Sequence, residues 1–207
     1  MAQFFSIHPD NPQPRLIRRA AEIVTQGGVI IYPTDSCYAL GCRLGDKAAM
    51  ERIRAVREVD ARHLFALVCR DLAELSVYAR VDNRQFRLLK SATPGSYTFI
   101  LRATREVPKR LLHTQRKTVG LRVPDHRVVR ALLAELGEPL LSSTLRLPGD
   151  PAPLNDAQEM RARLEGRVDL ILDSGSCGIL PTTVVDLTGD APVITREGKG
   201  SAAPFGL

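Results

Sequence analysis

The sequence predicts an α/β protein, a single-domain fold whose twisted mixed sheet carries helices on both faces. Short apolar segments alternate with amphipathic segments without an internal repeat, which is typical of strands and helices that share one sheet. No Gly/Ser-rich linker or long loop divides the 207 residues, and a chain of this length can bury a substantial core. We therefore expect one domain over residues 13–200, with residues 1–12 and 201–207 as terminal extensions.

The first half of the chain is predicted to mix helices with short strands. In chain order we expect helix 14–28, strands 29–32 and 39–42, helix 46–58, strand 63–69, helices 71–79 and 81–93, and a turn and strand within 93–103. The first helix has apolar residues at helical spacing and ends at a glycine pair, and Asp46 is placed to cap the second helix. The continuous apolar run 63–69 is typical of a strand covered on both faces.

The second half continues the alternation and ends in strands. We expect a short helix 107–113, strand 117–124, helix 126–137, strand 139–145, helix 155–167, and closing strands within 168–175, 182–189 and 192–198. Pro108 suits the first turn of the short helix, and Gly137 ends the longer one. The helix after residue 154 is opened by Asn155 or Asp156.

Composition argues against a membrane-spanning or secreted protein. No apolar run approaches the roughly 20 residues that cross a bilayer, and the N-terminus lacks the charged and apolar regions of a secretory signal. The four cysteines form no C-x-x-C pair and mostly lie in apolar runs, which favours reduced, buried thiols. We therefore expect a cytoplasmic enzyme or binding domain.

The positive charge of the chain is concentrated in one segment. The net charge is +6, and residues 102–130 carry nine Lys/Arg against two acidic residues. Such a surface suits a nucleic acid or phosphate partner, although an ordinary solvated face would explain the charge equally well. Within this segment Lys109, Arg110, Arg116 and Lys117 are the candidates for contacts with an RNA backbone.

The common catalytic and cofactor motifs are missing from the sequence. It contains no G-x-x-x-x-G-K-[ST], G-x-G-x-x-G, H-E-x-x-H or G-x-S-x-G motif. The four histidines (His8, His63, His113 and His126) are scattered without ligand spacing, and each is more often a surface or cap residue. We therefore expect no metal site made of protein ligands.

Hydroxyl and basic residues recur where predicted strands begin or end. They occur in YPTDS after VII, PGSYT before FIL, Arg122 after VGL, SST with Arg146 after PLL, PTT before VVDL, and Arg196 after VIT. In open α/β sheets ligands bind at strand ends, and hydroxyls with arginines suit a phosphate or carboxylate. A single such end is weak evidence, because Ser and Thr also serve as caps and turns.

These segments, in this order, resemble the YrdC/YciO-type family, within the threonylcarbamoyl-AMP synthase superfamily, and in particular its YciO branch. The resemblance covers about residues 13–200 and is carried by YPTDSCYALGC, FALVCRDL, TPGSYTFIL, LRVP, LLSST, PTTVVDL and REG. It implies a YrdC/RibB-like α/β sheet around a large, positively charged concave surface. It also implies one of two functions, described below.

The resemblance implies which residues hold the amino acid. The family's Pro-Thr after the first strand falls on Thr34, and its Ser/Thr-rich strand end on Ser142 and Ser143. The arginines for a carboxylate or phosphate, here the candidate catalytic residues, are Arg57 and Arg122. Thr34 could instead close a turn after Pro33, the serines could be strand-end donors, and Arg57 could be a helix-surface charge. Arg122 lies inside an apolar strand, where a half-buried arginine needs an anionic partner.

The resemblance places Thr144, Arg146, Thr182, Thr183 and Arg196 on the nucleotide side. Arg146 stands where the synthases have the Asn of an S-x-N motif, which reads Thr144-Leu145-Arg146 here. The Lys of the synthase Lys-x-Arg motif falls on Ala55. One positive charge is therefore lost and one gained, so the site is altered but not neutralised.

Two functions follow from the resemblance. The first is a threonylcarbamoyl-AMP synthase, a nucleotidyltransferase that converts L-threonine, bicarbonate and ATP, with Mg²⁺, into threonylcarbamoyl-AMP and pyrophosphate for tRNA threonylcarbamoyladenosine modification. Catalysis would consist of positioning and charge stabilisation, so a missing His or Glu base is no objection. The second is a protein that binds double-stranded RNA or tRNA through its basic surface and retains little synthase activity.

Overall fold

A computed structural model describes residues 1–113 and 115–206, which form one domain around a ten-stranded mixed sheet. The strand order is β1-β8-β2-β3-β7-β4-β6-β5-β9-β10. The strands are β1 (Gln3–Ser6), β2 (Ile30–Tyr32), β3 (Ala39–Arg43), β4 (Ala66–Val68), β5 (Tyr97–Arg102), β6 (Thr118–Arg122), β7 (Leu140–Thr144), β8 (Leu170–Asp173), β9 (Thr183–Asp186) and β10 (Val193–Arg196). The predicted α/β class and mixed sheet are confirmed.

Six α-helices connect these strands in the described part of the chain. They are α1 (Pro14–Thr25), α2 (Lys47–Arg57), α3 (Leu72–Tyr78), α4 (Asn83–Ala92), α5 (Arg127–Leu136) and α6 (Ala157–Leu164). Asp46, Asp71, Asp82 and Asp156 accept backbone hydrogen bonds as N-caps, which confirms Asp46 and selects Asp156 over Asn155. The short helix predicted after Pro108 is a single 3₁₀ turn, Lys109–Leu111. None of the described helices is both long and apolar enough to cross a membrane.

The two faces of the sheet are covered unequally. Alternate residues of each strand point to opposite faces, and α2, α4 and α6 contribute buried residues to the core on one face. Helices α1 and α5 pack together on the other face, where they bury Ile30, Leu140 and Leu170. The layer formed by α1 and α5 covers only the part of the sheet that contains β1, β8 and β2, together with some of its central strands. The remaining part of that face is free to form a ligand site.

The predicted terminal extensions contribute to the domain. Gln3–Ser6 forms β1, which pairs in parallel with β8 at the edge of the sheet. Near the other end, Phe205 lies in the 3₁₀ turn Ala203–Phe205 and packs its ring against Tyr97 and Phe99. The apolar run 63–69 contains only a three-residue strand, β4, which is preceded by the exposed Leu64 and begins at Ala66, a residue that faces a cavity.

Candidate active site

A cavity of about 530 Å³ occupies the uncovered half of the sheet. Its floor is made of small side chains on adjacent strands: Ala66 pairs with Ser142 on one side and with Gly120 on the other. Thr98 of β5 continues this floor, and Cβ of a residue at position 120 would lie 3.3 Å from its methyl group. The cavity exists because these residues cannot fill the space that α1 and α5 leave open.

The cavity has a strongly positive lining. The arginines that line it are Arg57, Arg116, Arg122, Arg146 and Arg196. No Asp or Glu lines it among the residues that the structure describes. Leu64, Ile179 and Leu180 form an exposed apolar rim. Such a lining suits an anionic ligand that also carries an apolar part.

The threonine of YPTDS is buried in its own turn. The Thr34 hydroxyl donates to the Cys37 carbonyl at 2.6 Å and accepts from the amides of Ser36 and Cys37 at 3.2 and 3.3 Å. Thr34 is fully buried and is not among the cavity-lining residues, whereas Cys37 is. In this structure Thr34 therefore has the turn-closing role that the sequence left open for it.

Arg122 joins this turn to the sheet. Its Nη2 donates to Thr34 Oγ1 at 3.1 Å and to Ser36 Oγ at 3.0 Å, and it forms an ion pair with the Asp35 carboxylate. The Ser96 hydroxyl also donates to Asp35, at 2.9 Å. Arg122 lines the cavity, but its charge is already balanced by Asp35. Sequence analysis missed Asp35, the anionic partner that an arginine in an apolar strand requires.

Arg57 is placed differently, because its neighbours are cations and neutral groups. At the C-terminal end of α2, its Nη1 lies 2.5 Å from Ser143 Oγ and 2.9 Å from His63 Nε2. No carboxylate among the described residues forms an ion pair with it, and burial, followed by the charges of Arg146 and Arg196, lowers its pKa. An anion in the cavity would relieve this imbalance.

His63 is a second site residue that sequence reasoning missed. Its Nε2 lies 2.9 Å from Ser143 Oγ, and the side chain lines the cavity. Burial, followed by the charge of Arg57, lowers the pKa of His63 to about 4, so the ring is neutral at pH 7. It lies 80 residues from Ser143 in the chain. Nothing in the sequence could therefore indicate the contact.

The predicted serines take different positions, since adjacent residues of β7 point to opposite sides. Ser142 is part of the floor, and its Oγ lies 2.6 Å from Tyr32 Oη. Burial raises the pKa of that tyrosine to about 12, so it remains protonated. Ser143 faces Arg57 and His63, and Thr144 lies at the end of β7 opposite Ala39. All three β7 residues line the cavity.

The far wall contains most of the predicted nucleotide residues. Thr182 Oγ1 lies 2.7 Å from Thr98 Oγ1, and Arg196 donates to the Thr182 carbonyl at 2.8 Å through Nη2. Both Thr182 and Arg196 line the cavity, as does Arg146. Thr183 does not, because its hydroxyl donates to the Gly200 carbonyl at 2.6 Å and so holds the chain after β10.

The residues predicted to contact RNA are all exposed but do not share one position. Lys109 and Arg110 lie on the 3₁₀ turn outside the cavity, where Arg110 contacts the Gly45 carbonyl. Arg116 lines the cavity and lies 3.5 Å from the Asp186 carboxylate. Lys117 adopts a left-handed backbone with φ of 56°. The basic segment therefore runs from the outer surface to the cavity rim.

The two positions that depart from the synthase pattern, Ala55 and Arg146, lie in different surroundings. Ala55 is exposed on α2, and its carbonyl accepts a hydrogen bond from Arg167 at 2.6 Å, outside the cavity. Arg146 contributes a positive charge on the cavity side. Among the described residues no group of three or more His, Cys, Asp or Glu could hold a metal ion.

Comparison with known proteins identifies the family of the chain and confirms its fold. Residues 22–198 match the Sua5/YciO/YrdC family model, described as "Telomere recombination". The chain belongs to this family. The resemblance inferred from the sequence is thereby confirmed, including the YciO branch: the uncharacterised YciO of Escherichia coli is 58% identical over 205 residues, 99% of this chain and 100% of that protein. The crystal structure of E. coli YciO matches with a TM-score of 0.95 over the same shares of the two chains.

Other members of the Sua5/YciO/YrdC family are more distant and carry a functional name. Threonylcarbamoyl-AMP synthase of Bacillus subtilis is 28% identical over 184 residues, which are 88% of this chain and 53% of the synthase. P. abyssi Sua5, solved in complex with L-threonine, matches with a TM-score of 0.86 at 26% identity, over 94% of this chain and 57% of that one. The chain is therefore distantly related to threonylcarbamoyl-AMP synthases.

Proposed function

We propose that the protein binds L-threonine, bicarbonate and ATP in the cavity and forms threonylcarbamoyl-AMP and pyrophosphate. The observation that carries this proposal is the lining: among the described residues no carboxylate lines the cavity, and three of its five arginines, Arg57, Arg146 and Arg196, form no ion pair. A reactant set with a carboxylate, a carbonate and three phosphates supplies the negative charge that such a lining requires. The relation to a synthase and to a threonine-bound Sua5 supports the choice of substrates.

The residues divide between threonine and ATP. Arg57 has no ion-pair partner among the described residues and lies beside Ser143, so it suits the threonine carboxylate. Arg146, whose carbonyl lies 3.4 Å from Arg57 Nε, and Thr182 and Arg196 on the far wall suit the phosphates. Arg122 and Thr34 act indirectly, because their hydrogen bond fixes the YPTDS turn that forms one wall of the cavity. The contribution of the protein is positioning and compensation of negative charge.

Magnesium enters this proposal only as part of the substrate. The described cavity lining offers Mg²⁺ no carboxylate, and hard divalent cations prefer oxygen ligands. The ion implied by the family resemblance would therefore arrive coordinated by the ATP phosphates, and no residue of this chain is assigned to it. The product would supply tRNA threonylcarbamoyladenosine modification.

A product assay tests the proposal. The protein is incubated with L-threonine, bicarbonate, Mg²⁺ and α-labelled ATP, and threonylcarbamoyl-AMP is sought by mass spectrometry. We expect product from the wild type and at least about 100-fold less from Arg57→Ala, since the alanine cannot bind the substrate carboxylate. Arg87→Ala removes an exposed arginine of α4 outside the cavity and should leave turnover unchanged. Absence of product from folded wild-type protein rejects the proposal.

We propose a second function, binding of duplex RNA or tRNA, on a separate observation. Lys109, Arg110, Arg116 and Lys117 are all exposed within nine residues of chain, and only Arg116 has an acidic neighbour among the described ion pairs. Cations so arranged contact phosphates without reading sequence. Fluorescence anisotropy with a labelled RNA duplex tests this function. RNA binding does not depend on whether the protein forms threonylcarbamoyl-AMP.

A further inference from the structure

Arg57, His63 and Ser143 form a cluster of polar atoms in the cavity wall. The three contacts among Arg57 Nη1, Ser143 Oγ and His63 Nε2 measure 2.5, 2.9 and 2.9 Å. A guanidinium nitrogen has hydrogens to donate and no lone pair with which to accept. Nε2 of His63 must therefore be the acceptor, which requires a neutral ring with its hydrogen on Nδ1. Arg57 occupies the lone pair that would make His63 a base.

The charges around His63 explain why the ring stays neutral. Arg57 and Arg54 of α2 both disfavour a proton on it, Asp60 of its own loop favours one, and Arg146 lies beside Arg57. Arg54 is already paired with Glu51 at 2.5 Å, and its Nε is buried without a hydrogen-bond partner among the described residues. Arg57 is consequently the neighbour whose effect a ligand in the cavity can change.

We propose that His63 is the general base of the cavity, and that Arg57 masks it until an anionic group of the substrate binds. A carboxylate or phosphate that engages the Arg57 guanidinium draws Nη1 away from Nε2 and neutralises its charge. The lone pair of His63 then becomes available to a proton donor in the cavity, directly or through the Ser143 hydroxyl. This role rests on the proposed function for the identity of the proton that is taken.

The proton balance of the proposed reaction gives the base a task. Threonine enters as an ammonium ion, and its reaction with bicarbonate forms the N–C bond of a carbamate, breaks a C–O bond and releases one water and one proton. His63 Nε2 accepts that proton, so that the amine nitrogen has its lone pair when it attacks carbon. The carbamate oxygen then displaces pyrophosphate from the α-phosphorus of ATP. His63 returns the proton to water when the products leave.

Proton uptake on binding tests the inference without turnover. The His63 ring is titrated by NMR in the free protein and at saturation with L-threonine or with inorganic phosphate. We expect its pKa to rise from about 4 to above about 5 when either probe binds. Calorimetry at pH 5.5 in buffers of different ionisation enthalpy should then show net proton uptake. An unchanged His63 titration with both probes overturns the proposal.

Variants separate the masking role from a structural one. Arg57→Ala should raise the pKa of His63 in the free protein and abolish ligand-linked uptake. His63→Gln, which retains a hydrogen-bonding side chain, should abolish uptake while keeping the fold. His8→Gln replaces an exposed histidine of the N-terminal loop and should leave uptake at the wild-type value. If uptake persists in His63→Gln, another group takes the proton and the inference is wrong.

Kinetics distinguish this inference from the proposed function. If threonylcarbamoyl-AMP forms, His63→Gln should lower kcat about 100-fold with little change in the KM for threonine, as expected for loss of a general base. Product formation with full activity in His63→Gln would reject the base and leave the synthase intact. Proton uptake without any product would reject the synthase activity but would still support His63 as a base that Arg57 masks.

Discussion

At the residue scale, the pair formed by Asp35 and Arg122 decides whether the YPTDS turn holds its shape. Their side chains are only 10% and 8% exposed, and Arg122 reaches two hydroxyls of the same turn. Removing one partner of a buried pair leaves an uncompensated charge, which costs about 3–5 kcal/mol. We expect Asp35→Ala to lower the free energy of unfolding by about 3 kcal/mol in urea denaturation.

An exposed pair provides the comparison for this effect. Asp125 lies 4.0 Å from Arg130, and both side chains are more than half exposed. Because water screens such pairs, Asp125→Ala should cost less than about 1 kcal/mol. Equal losses in the two variants would mean that Asp35 and Arg122 are not desolvated, and the proposed fixed wall of the cavity would have no support.

His63 also gives stability a pH dependence. Its pKa of about 4 in the folded protein lies below the ordinary value of 6.5, so between these values the unfolded chain binds more protons. Stability therefore falls as the pH drops from 6.5 towards 4, by on the order of 2 kcal/mol after allowance for partial solvent exposure. Urea denaturation at pH 7, 5.5 and 4.5 should show this slope, and His63→Gln should reduce it.

His126 contributes in the same direction, because burial lowers its pKa as well. The difference between wild type and His63→Gln isolates His63 from that background and from the carboxylates. A slope that is identical in the two proteins would show that His63 accepts protons as readily when folded as when unfolded. The environment described for Arg57 and His63 would then be incorrect.

At the scale of elements, local signals in the sequence predict most of the fold. The capping aspartates, the glycine after α5 and the periodic apolar faces act within a few residues, so they locate the six helices. β1 has no such signal, since it is a four-residue edge strand that is stabilised by pairing with β8 more than 160 residues away. β4 is shorter than its apolar run, because its pairing with β6 and β7, a tertiary feature, is limited to Ala66–Val68.

The difference between local signals and long-range contacts also separates the site residues that were predicted from those that were missed. Strand-end hydroxyls and arginines can be read from the sequence, and most of them line the cavity. Thr34 and Thr183 do not, because each hydroxyl is taken by a backbone carbonyl, Cys37 and Gly200 respectively. His63 and Asp35 depend on contacts across 80 or more residues of chain, to Ser143 and Arg122. Composition and spacing carry no information on such contacts.

The glycine of β6 shows how one strand position keeps the cavity open. A side chain at Gly120 would extend over the floor, with only the Thr98 methyl within 3.4 Å of its Cβ. Gly120→Val should therefore preserve stability, since valine suits a strand, while it weakens L-threonine binding more than about 10-fold in calorimetry. Unchanged affinity would place the ligand elsewhere.

Gly41 of β3 provides the contrasting variant within the same sheet. Cβ of a residue at 41 would lie 2.6 Å from Leu140 Cδ2 and 2.7 Å from Tyr32 Cε1, inside the packed half of the face. Gly41→Val should therefore lower the free energy of unfolding by about 1–3 kcal/mol through overpacking. The two substitutions together separate space reserved for a ligand from space required for packing.

At the scale of the whole molecule, the cavity and the basic segment are adjacent parts of one positive field. Arg116 belongs to both, since it lines the cavity and lies in the exposed segment with Lys109, Arg110 and Lys117. A long polyanion could therefore lie along the segment while its end reaches the cavity rim. Small anions and RNA would then compete, and the competition should weaken as salt screens the surface.

Charge reversal measures how much of RNA binding this segment supplies. Changing Lys109, Arg110, Arg116 and Lys117 to Glu should weaken binding of a labelled RNA duplex. It should also reduce the slope of log affinity against log salt concentration, by about one unit for each phosphate that is no longer neutralised. Reversing Arg15, Arg18 and Arg19 on α1, which are equally exposed on a different element, should change both much less. Because net charge changes in both variants, equal losses would mean that RNA responds only to overall charge, and the basic segment would not be the binding surface.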